Sequence, residues 1–244
     1  MTIRQTATTN KLLNGLTTTD FALLSPHLQQ RNFALKEYLE RASQPISCAV
    51  FLDSAIASTV ASSPAGEDVE VGLSGLEGMT GTALVLQGET APLDIYIRCA
   101  GFGYALPACV LVAALKQSRT LETRLLSYVQ TMIVQAASTA LVNGVADAET
   151  RLARWLLMLH DRSAGSNISV THKFMAVMLA MHRPWVTETL HVLEGKRLIR
   201  STRGNVHILD RAGLIAAAKG FYGMAEKEYE RIMARANAGL TCGS

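Results

Sequence analysis

The sequence predicts an α+β chain with a β-rich first part, one long helix and a winged helix-turn-helix toward the end, and three observations carry this. Between about Phe33 and Ala105, short apolar runs alternate with Ser, Pro and Gly turn signals. From Pro107 to Val142 there is no Gly and no further Pro, and apolar residues recur at spacings of three and four. Finally, Thr171 to Asp210 holds two short helical patterns followed by two alternating runs around a Gly-Asn turn. The domain limits read from these shifts are 10–106, 107–142, 147–222 and a tail, 223–244.

Asn10 to Leu24 reads as one short helix lying as a lid on the β-rich part, with Thr and Asp as caps. CAVFLDSAIASTVA, VEVGL, TALVLQG and LDIYIRCAG are the expected strands, and their spacing favours a sandwich or barrel over alternating strand and helix units. Gly72, Gly75, Gly78 and Gly81 recur every third residue but lack a Gly-Lys-Ser/Thr ending, so glycine turns are expected rather than a phosphate loop. The long helix, at about 1.5 Å per residue, would exceed 50 Å, more than one small core can cover. A self-associating seam through Leu115, Leu121, Leu125, Tyr128 and Met132 is therefore expected; packing against the chain's own β-unit is the other reading, and both can hold on different faces. Asn143-Gly144 is read as the break, with Asp147 capping a helix from Ala148 to Asp161.

With 244 residues, 49% hydrophobic and 18% charged, the chain can bury a sizeable core. No run approaches the roughly 18 consecutive apolar residues of a membrane span, and MTIRQTATTNK offers no apolar secretory segment, so a cytoplasmic protein without membrane partner is expected. Cys48, Cys99, Cys109 and Cys242 are widely spaced and read as small buried hydrophobes, and neither metal nor cofactor is expected. His182 and His191 stand nine apart, not at the spacing of a helical metal pair. An enzyme is a poor fit: there is no Gly-x-Ser-x-Gly, P-loop or His-Glu-x-x-His, and the Glu37/Glu40 pair sits in what reads as an exposed polar stretch.

The net charge of +3 conceals a division. Residues 1–150 hold nine Lys and Arg against 13 Asp and Glu, and residues 151–244 hold fourteen against seven. Ten of those fourteen cations lie in 151–211, a concentration that fits a nucleic-acid module; a solvated basic face is the bland reading on charge alone. Within THKFMAVMLAMHRPWVTETLHVLEGKRLIRSTRGNVHILD, Thr171 caps the first helix, a break falls at Ala180 to His182, and Pro184 sits in the first turn of the second. Met175, Ala176, Leu179, Val186 and Leu190 face inward. The N-terminal side chains of such a second helix meet base edges in the major groove, which nominates Arg183, Thr187 and Glu188, with His191 farther along. Thr171, His172 and Lys173, with Arg200 and Arg203 near the wing, are nominated for phosphates. Trp185 reads as packed or partly exposed structure rather than a base contact.

RLARWLLMLHDR, FMAVML, HRPWVTETLHVLEGKRLIR and STRGNVHILDRAGL, in that order behind a β-rich unit and a long helix, resemble the Crp/Fnr family of bacterial transcription regulators over about Asn10 to Tyr222. The resemblance implies a β-roll or jelly-roll domain of the cyclic-nucleotide-binding kind and a homodimer joined by the long helices. It further implies recognition of a pseudo-palindrome in double-stranded DNA, with RNA polymerase and a small-molecule effector as further partners. Where cyclic-AMP-responsive members hold ribose and phosphate with a Gly-Glu pair and an Arg-Ser/Thr pair, this chain has Gly81-Thr82 and Pro92-Leu93-Asp94. The resemblance is thus to a branch without the phosphate-binding motif, and cyclic-AMP dependence is not expected. Two further departures lie in the helix-turn-helix, Ala180 where a turn glycine is common and Thr189 where a branched aliphatic packs. The alternative function is a small-molecule-sensing dimer whose winged domain serves protein interaction or non-specific DNA binding.

Overall fold

The computed structural model describes residues 3–163 and 165–239. In chain order the elements are α1 (Lys11–Asn14), α2 (Thr18–Leu24), β1 (Gln29–Phe33), β2 (Tyr38–Glu40), β3 (Cys48–Leu52), β4 (Ile56–Ser62), β5 (Asp68–Ser74), α3 (Thr82–Val85), β6 (Asp94–Cys99) and β7 (Gly101–Pro107). They continue with α4 (Ala108–Gln117), α5 (Arg119–Val145), α6 (Ala148–His160), β8 (Asn167–Ser169), α7 (His172–Met178), α8 (Arg183–Gly195), β9 (Ile199–Thr202), β10 (Asn205–Ile208), α9 (Arg211–Ala217) and α10 (Met224–Gly239). The predicted α+β class and the order of β-rich part, long helix and winged motif are observed. The chain forms two compact units, one from the residues up to Thr59, Ser74–Ile133 and the residues from Glu228, the other from Val60–Leu73 and Val134–Lys227. These limits differ from the sequence-derived ones, because the β4–β5 tip joins the second unit and the C-terminal helix ends in the first.

The β-rich part holds two sheets, β1-β7-β3 and β2-β6-β4-β5. Strand alternation explains how the first sheet is covered on both sides. Val50 and Leu52 of β3 and Ala105 of β7 join Phe33, Ala57, Ile95 and Ile97 in the core between the sheets. Their neighbours Ala49, Phe51, Tyr104 and Leu106 turn the other way, into a core built with Leu12, Leu13, Leu24, Leu111, Leu121, Leu125 and Tyr128. The N-terminal segment is therefore not a lid but part of that core, and it is two helices, since Gly15 closes α1 and the Thr17 side chain caps α2 by accepting from Asp20 N. TALVLQG, expected as a strand, forms α3 and a turn: Gly81 has φ +77°, a left-handed entry that glycine permits. Gly78 is required by close approach, because a Cβ there would stand 2.1 Å from the Tyr128 hydroxyl, which donates to Met79 O at 3.1 Å.

The single helix expected over 107–142 is two. Ser118 is extended (φ −129°, ψ 111°), its Oγ accepts from Leu121 N at 3.2 Å, and it donates to the buried carboxylate of Asp20. Thr120 Oγ1 donates to the same carboxylate at 2.7 Å. A partner 98 residues away thus decides where α5 starts. α5 then runs through Asn143-Gly144 to Val145 before Asp147 caps α6, accepting from Thr150 N at 2.8 Å. The expected tail contains α10, and only its last residues, with Cys242, lie outside the described ones. Cys48 and Cys99 are half-buried and Cys109 is exposed, so the expectation of buried cysteines fails for the three described.

Candidate nucleic-acid interface

In the second unit, α6 and α8 pack on a three-stranded wing of order β8-β10-β9, and α7 packs on α8. The Thr171 side chain caps α7, accepting from Phe174 N at 3.3 Å, and Pro184 occupies the first turn of α8. Met175, Leu179, Val186 and Leu190 are buried, and Met178 joins them. Between the helices Ala180 has φ +47°, the turn conformation that favours glycine. Thr189 is buried, and its hydroxyl is satisfied locally by donating to Trp185 O at 2.7 Å.

What remains outside is a row at the start and middle of α8. Arg183, Glu188 and His191 are exposed, while Thr187 is half-buried, its hydroxyl donating to Arg183 O at 3.2 Å and lying 3.1 Å from His172 Nδ1. That contact joins a residue nominated for bases to one nominated for phosphates. His191 Nδ1 lies 3.5 Å from a Glu194 carboxylate oxygen, whose other oxygen accepts from Ser201 N at 2.6 Å, tying α8 to the wing. Thr171, Lys173, Arg200 and Arg203 are exposed, Arg203 at the β9–β10 turn where Gly204 has φ +79°. Trp185, which the sequence does not nominate for DNA, is 58% exposed near the start of α8, edge-on to the His182 ring at 6.0 Å. Its position near the start of α8, one residue before the buried Val186, is the signal that sequence reasoning could have used.

The five residues nominated for a helix seam are placed differently. Leu121, Leu125 and Tyr128 are at most 1% exposed inside their own unit's core, and Leu115 and Met132 pack against it. They hold the helix to its own chain and leave another stripe free: Thr123, Leu126, Gln130, Ile133, Ala137, Ala140 and Gly144 all lie outside that core. Their spacing alternates strictly between three and four residues, the period of a coiled-coil seam. Taken whole, with its buried and exposed residues together, α5 is apolar enough by length and composition to cross a membrane, with an 18-residue mean hydropathy of 1.4.

In the first unit, Glu40 is not exposed as the sequence suggested: it is 5% exposed and accepts from Gly81 N at 2.6 Å, at the start of α3. Burial pushes its carboxyl above the usual range, against the Gly81 and Thr80 hydrogen bonds, which pull it down. Asp94 accepts from Ala42 N at 2.7 Å.

The family model described as the Crp-like helix-turn-helix domain matches residues 150–217. The second unit carries a Crp-like helix-turn-helix domain. The matched segment spans α6 through α9, and so includes both helices of the motif and the wing. No curated protein matches the chain in sequence. Among solved structures, a Crp/Fnr family transcriptional regulator from Eubacterium rectale is similar at 17% identity and TM-score 0.68, over 87% of this chain and 99% of that one. FixK2 from Bradyrhizobium japonicum is similar at 13% identity and TM-score 0.68, over 78% of this chain and 96% of its own. The c-di-GMP responsive global regulator CLP of Xanthomonas campestris is similar at 15% identity and TM-score 0.61, over 79% and 99%. At these identities the likeness is one of fold, and the fold is shared with these Crp/Fnr regulator structures over 78–87% of this chain, the β-rich part ahead of the Crp-like domain included.

Proposed function

We propose that the protein is a sequence-specific DNA-binding transcription regulator that acts as a homodimer on a pseudo-palindromic operator in the cytoplasm. The observation that carries this is the exposed row of α8. A Crp-like domain leaves Arg183, Trp185, Glu188 and His191 outside at the end of the helix that enters a major groove, beside exposed cations at the start of α7 and on the wing. Arg183 can donate twice to a guanine and Glu188 can accept from a cytosine amine. Lys173, Arg200 and Arg203 supply phosphate contacts, with Thr171 and His172 at the α7 start. The basic second half supports the same reading, since neutralised phosphates supply most of the affinity of such modules.

The seam is the Thr123-to-Gly144 stripe of α5. Leu126, Ile133 and Ala140 form one row and Thr123, Gln130, Ala137 and Gly144 the other; a polar Gln130 in the second row fits the register-fixing role of polar seam residues. Small residues in the last two turns let two such helices approach closely. A paired helix accounts for the apolar character of α5 without a membrane. Two copies joined this way place two recognition helices about one DNA turn, roughly 34–36 Å, apart. RNA polymerase is a further partner on this reading.

Cyclic-AMP dependence is not part of it. The start of α3 and the neighbouring β6, where the resemblance puts phosphate and ribose, hold the Glu40 and Asp94 carboxylates, each engaged with a backbone N–H. Carboxylates there repel a phosphate. The experiment is selection from a random duplex library with purified protein, Arg183→Ala in parallel. Enrichment of a two-fold symmetric site that is lost or relaxed in the variant is the expected result, and an identical enriched site in the variant would overturn the assignment of Arg183.

A further inference from the structure

The outward side of α8 is divided in its chemistry. Val186, Thr189, Leu190 and Leu193 are buried and define the inner side. At about 100° per residue, Pro184, Glu188 and His191 stand opposite it, with Arg183 and Thr187 along one edge and Trp185 and Val192 along the other. The first edge is polar, and its Thr187 hydroxyl lies 3.1 Å from His172 Nδ1. The second is apolar: Trp185 is 58% exposed and Val192 45%.

An exposed indole leaves a large apolar area in water. At this turn of α8 the core is filled by the next residue, Val186, which is 0% exposed. The indole is nonetheless held in place, because the His182 ring meets it edge-on, with the planes at 87° and the centroids 6.0 Å apart. His182 is the residue before α8 begins, and the ring of Pro184 fixes the backbone between the two aromatic groups. Each base pair offers hydrogen-bond donors and acceptors in the major groove, but the single apolar group there is the C5 methyl of thymine. Indole has one N–H, no acceptor and no charge, so polar base edges and phosphates use little of it. Its apolar area gains most from a methyl group that leaves water with it.

We propose that Trp185 is a specificity-determining residue that reads the C5 methyl group of a thymine in each half-site of the operator. This rests on the DNA-binding reading above and adds to it a contact of another kind, apolar where those of Arg183 and Glu188 are hydrogen bonds. Trp185 and Arg183 lie on opposite edges of α8, so the thymine and the guanine belong to different base pairs.

Sites are selected from a random duplex library by the unaltered full-length protein and, in parallel, by Trp185→Ala. Because Trp185 is exposed, the variant is expected to keep the thermal unfolding midpoint of the unaltered protein. One thymine position in each half-site is expected to lose its preference in the variant, while the other positions keep theirs. Deoxyuridine, which pairs as thymidine does and lacks only the methyl group, is then placed at that position. It is expected to weaken binding of the unaltered protein about fourfold per half-site, the scale of one buried methyl or methylene group. Binding of Trp185→Ala is expected to be the same with either base. An identical site from both proteins, a lost preference at a base other than thymine, or an equal deoxyuridine penalty in both overturns the proposal and leaves the regulator reading standing. A library from which the unaltered protein enriches no site overturns both.

Discussion

The helices α5 and α8 both keep one side in a core and one side out, but what they leave outside differs in kind. On α8 the outer row is Arg183, Trp185, Glu188 and His191, groups that donate, accept or stack. On α5 it is Leu126, Ile133, Ala137 and Ala140. The first suits a charged, hydrogen-bonding polymer and the second an apolar surface of the same period. Exposure alone does not reveal a partner; the chemistry of the exposed row does.

The sharpest way to break this comparison is to damage the two stripes of α5 one at a time. Leu125→Ala, at 0% exposure, is expected to cost about 2–5 kcal/mol of stability, read as a shift of the urea midpoint, while leaving self-association in place. Ile133→Glu, at 63% exposure, is expected to do the reverse, keeping the fold and abolishing the dimer in sedimentation equilibrium at micromolar concentration. Equal effects of the two on association would show that the seam lies elsewhere. On α8, Arg183→Ala is expected to cost about 1–3 kcal/mol at one base position, measured as loss of preference there. Arg203→Ala, by contrast, should weaken binding evenly over sequences and lower the salt slope by about one.

Smaller effects test the frame that presents α8. Asp147→Ala removes the α6 cap and is expected to cost about 1 kcal/mol in thermal unfolding. Ala180→Gly relieves a φ of +47° and is expected to gain up to about 1 kcal/mol, without change in the enriched DNA site. His160 gives a pH dependence. Burial, and then Arg211, whose Nη1 lies 2.7 Å from Nδ1, hold its imidazole below the usual range, against the opposing field of Asp161. The unfolded chain therefore takes up a proton near pH 6.5 that the folded one does not, and stability falls as pH falls through about that value. His160→Gln is expected to flatten this part of the profile.

Much of the second unit was legible because its signals are local. Thr171, Pro184, Asp147 and the Gly204 turn are caps and turns read within a few residues, and the inward rows obey the helical period. The Crp/Fnr architecture emerges from the order of such patterns. Which stripe of α5 the core takes was not legible, for α5 has apolar residues on two stripes and periodicity does not say which faces the chain's own sheet. Leu121, Leu125 and Tyr128 carry the bulkier side chains, and the core takes them. The break at Ser118 was hidden for a different reason, since its partner Asp20 is remote in sequence. α3 was read as a strand because a four-residue apolar run has no period of its own. Glu40 looked solvated since nothing in its neighbourhood names Gly81.

The last helix bears on how the chain is made. α10 starts in the second unit, yet Met233 fills the first unit's core at 5% exposure and the Tyr229 hydroxyl donates to Glu77 O at 2.8 Å. A ribosome delivers the N-terminal residues first, and domains generally fold as they emerge. Here a core that begins at Leu12 waits for Met233, made far later along the chain. Nascent chains arrested before Met233 carry the β-rich unit with its core unfinished, and the apolar stripe of α5 is exposed beside it.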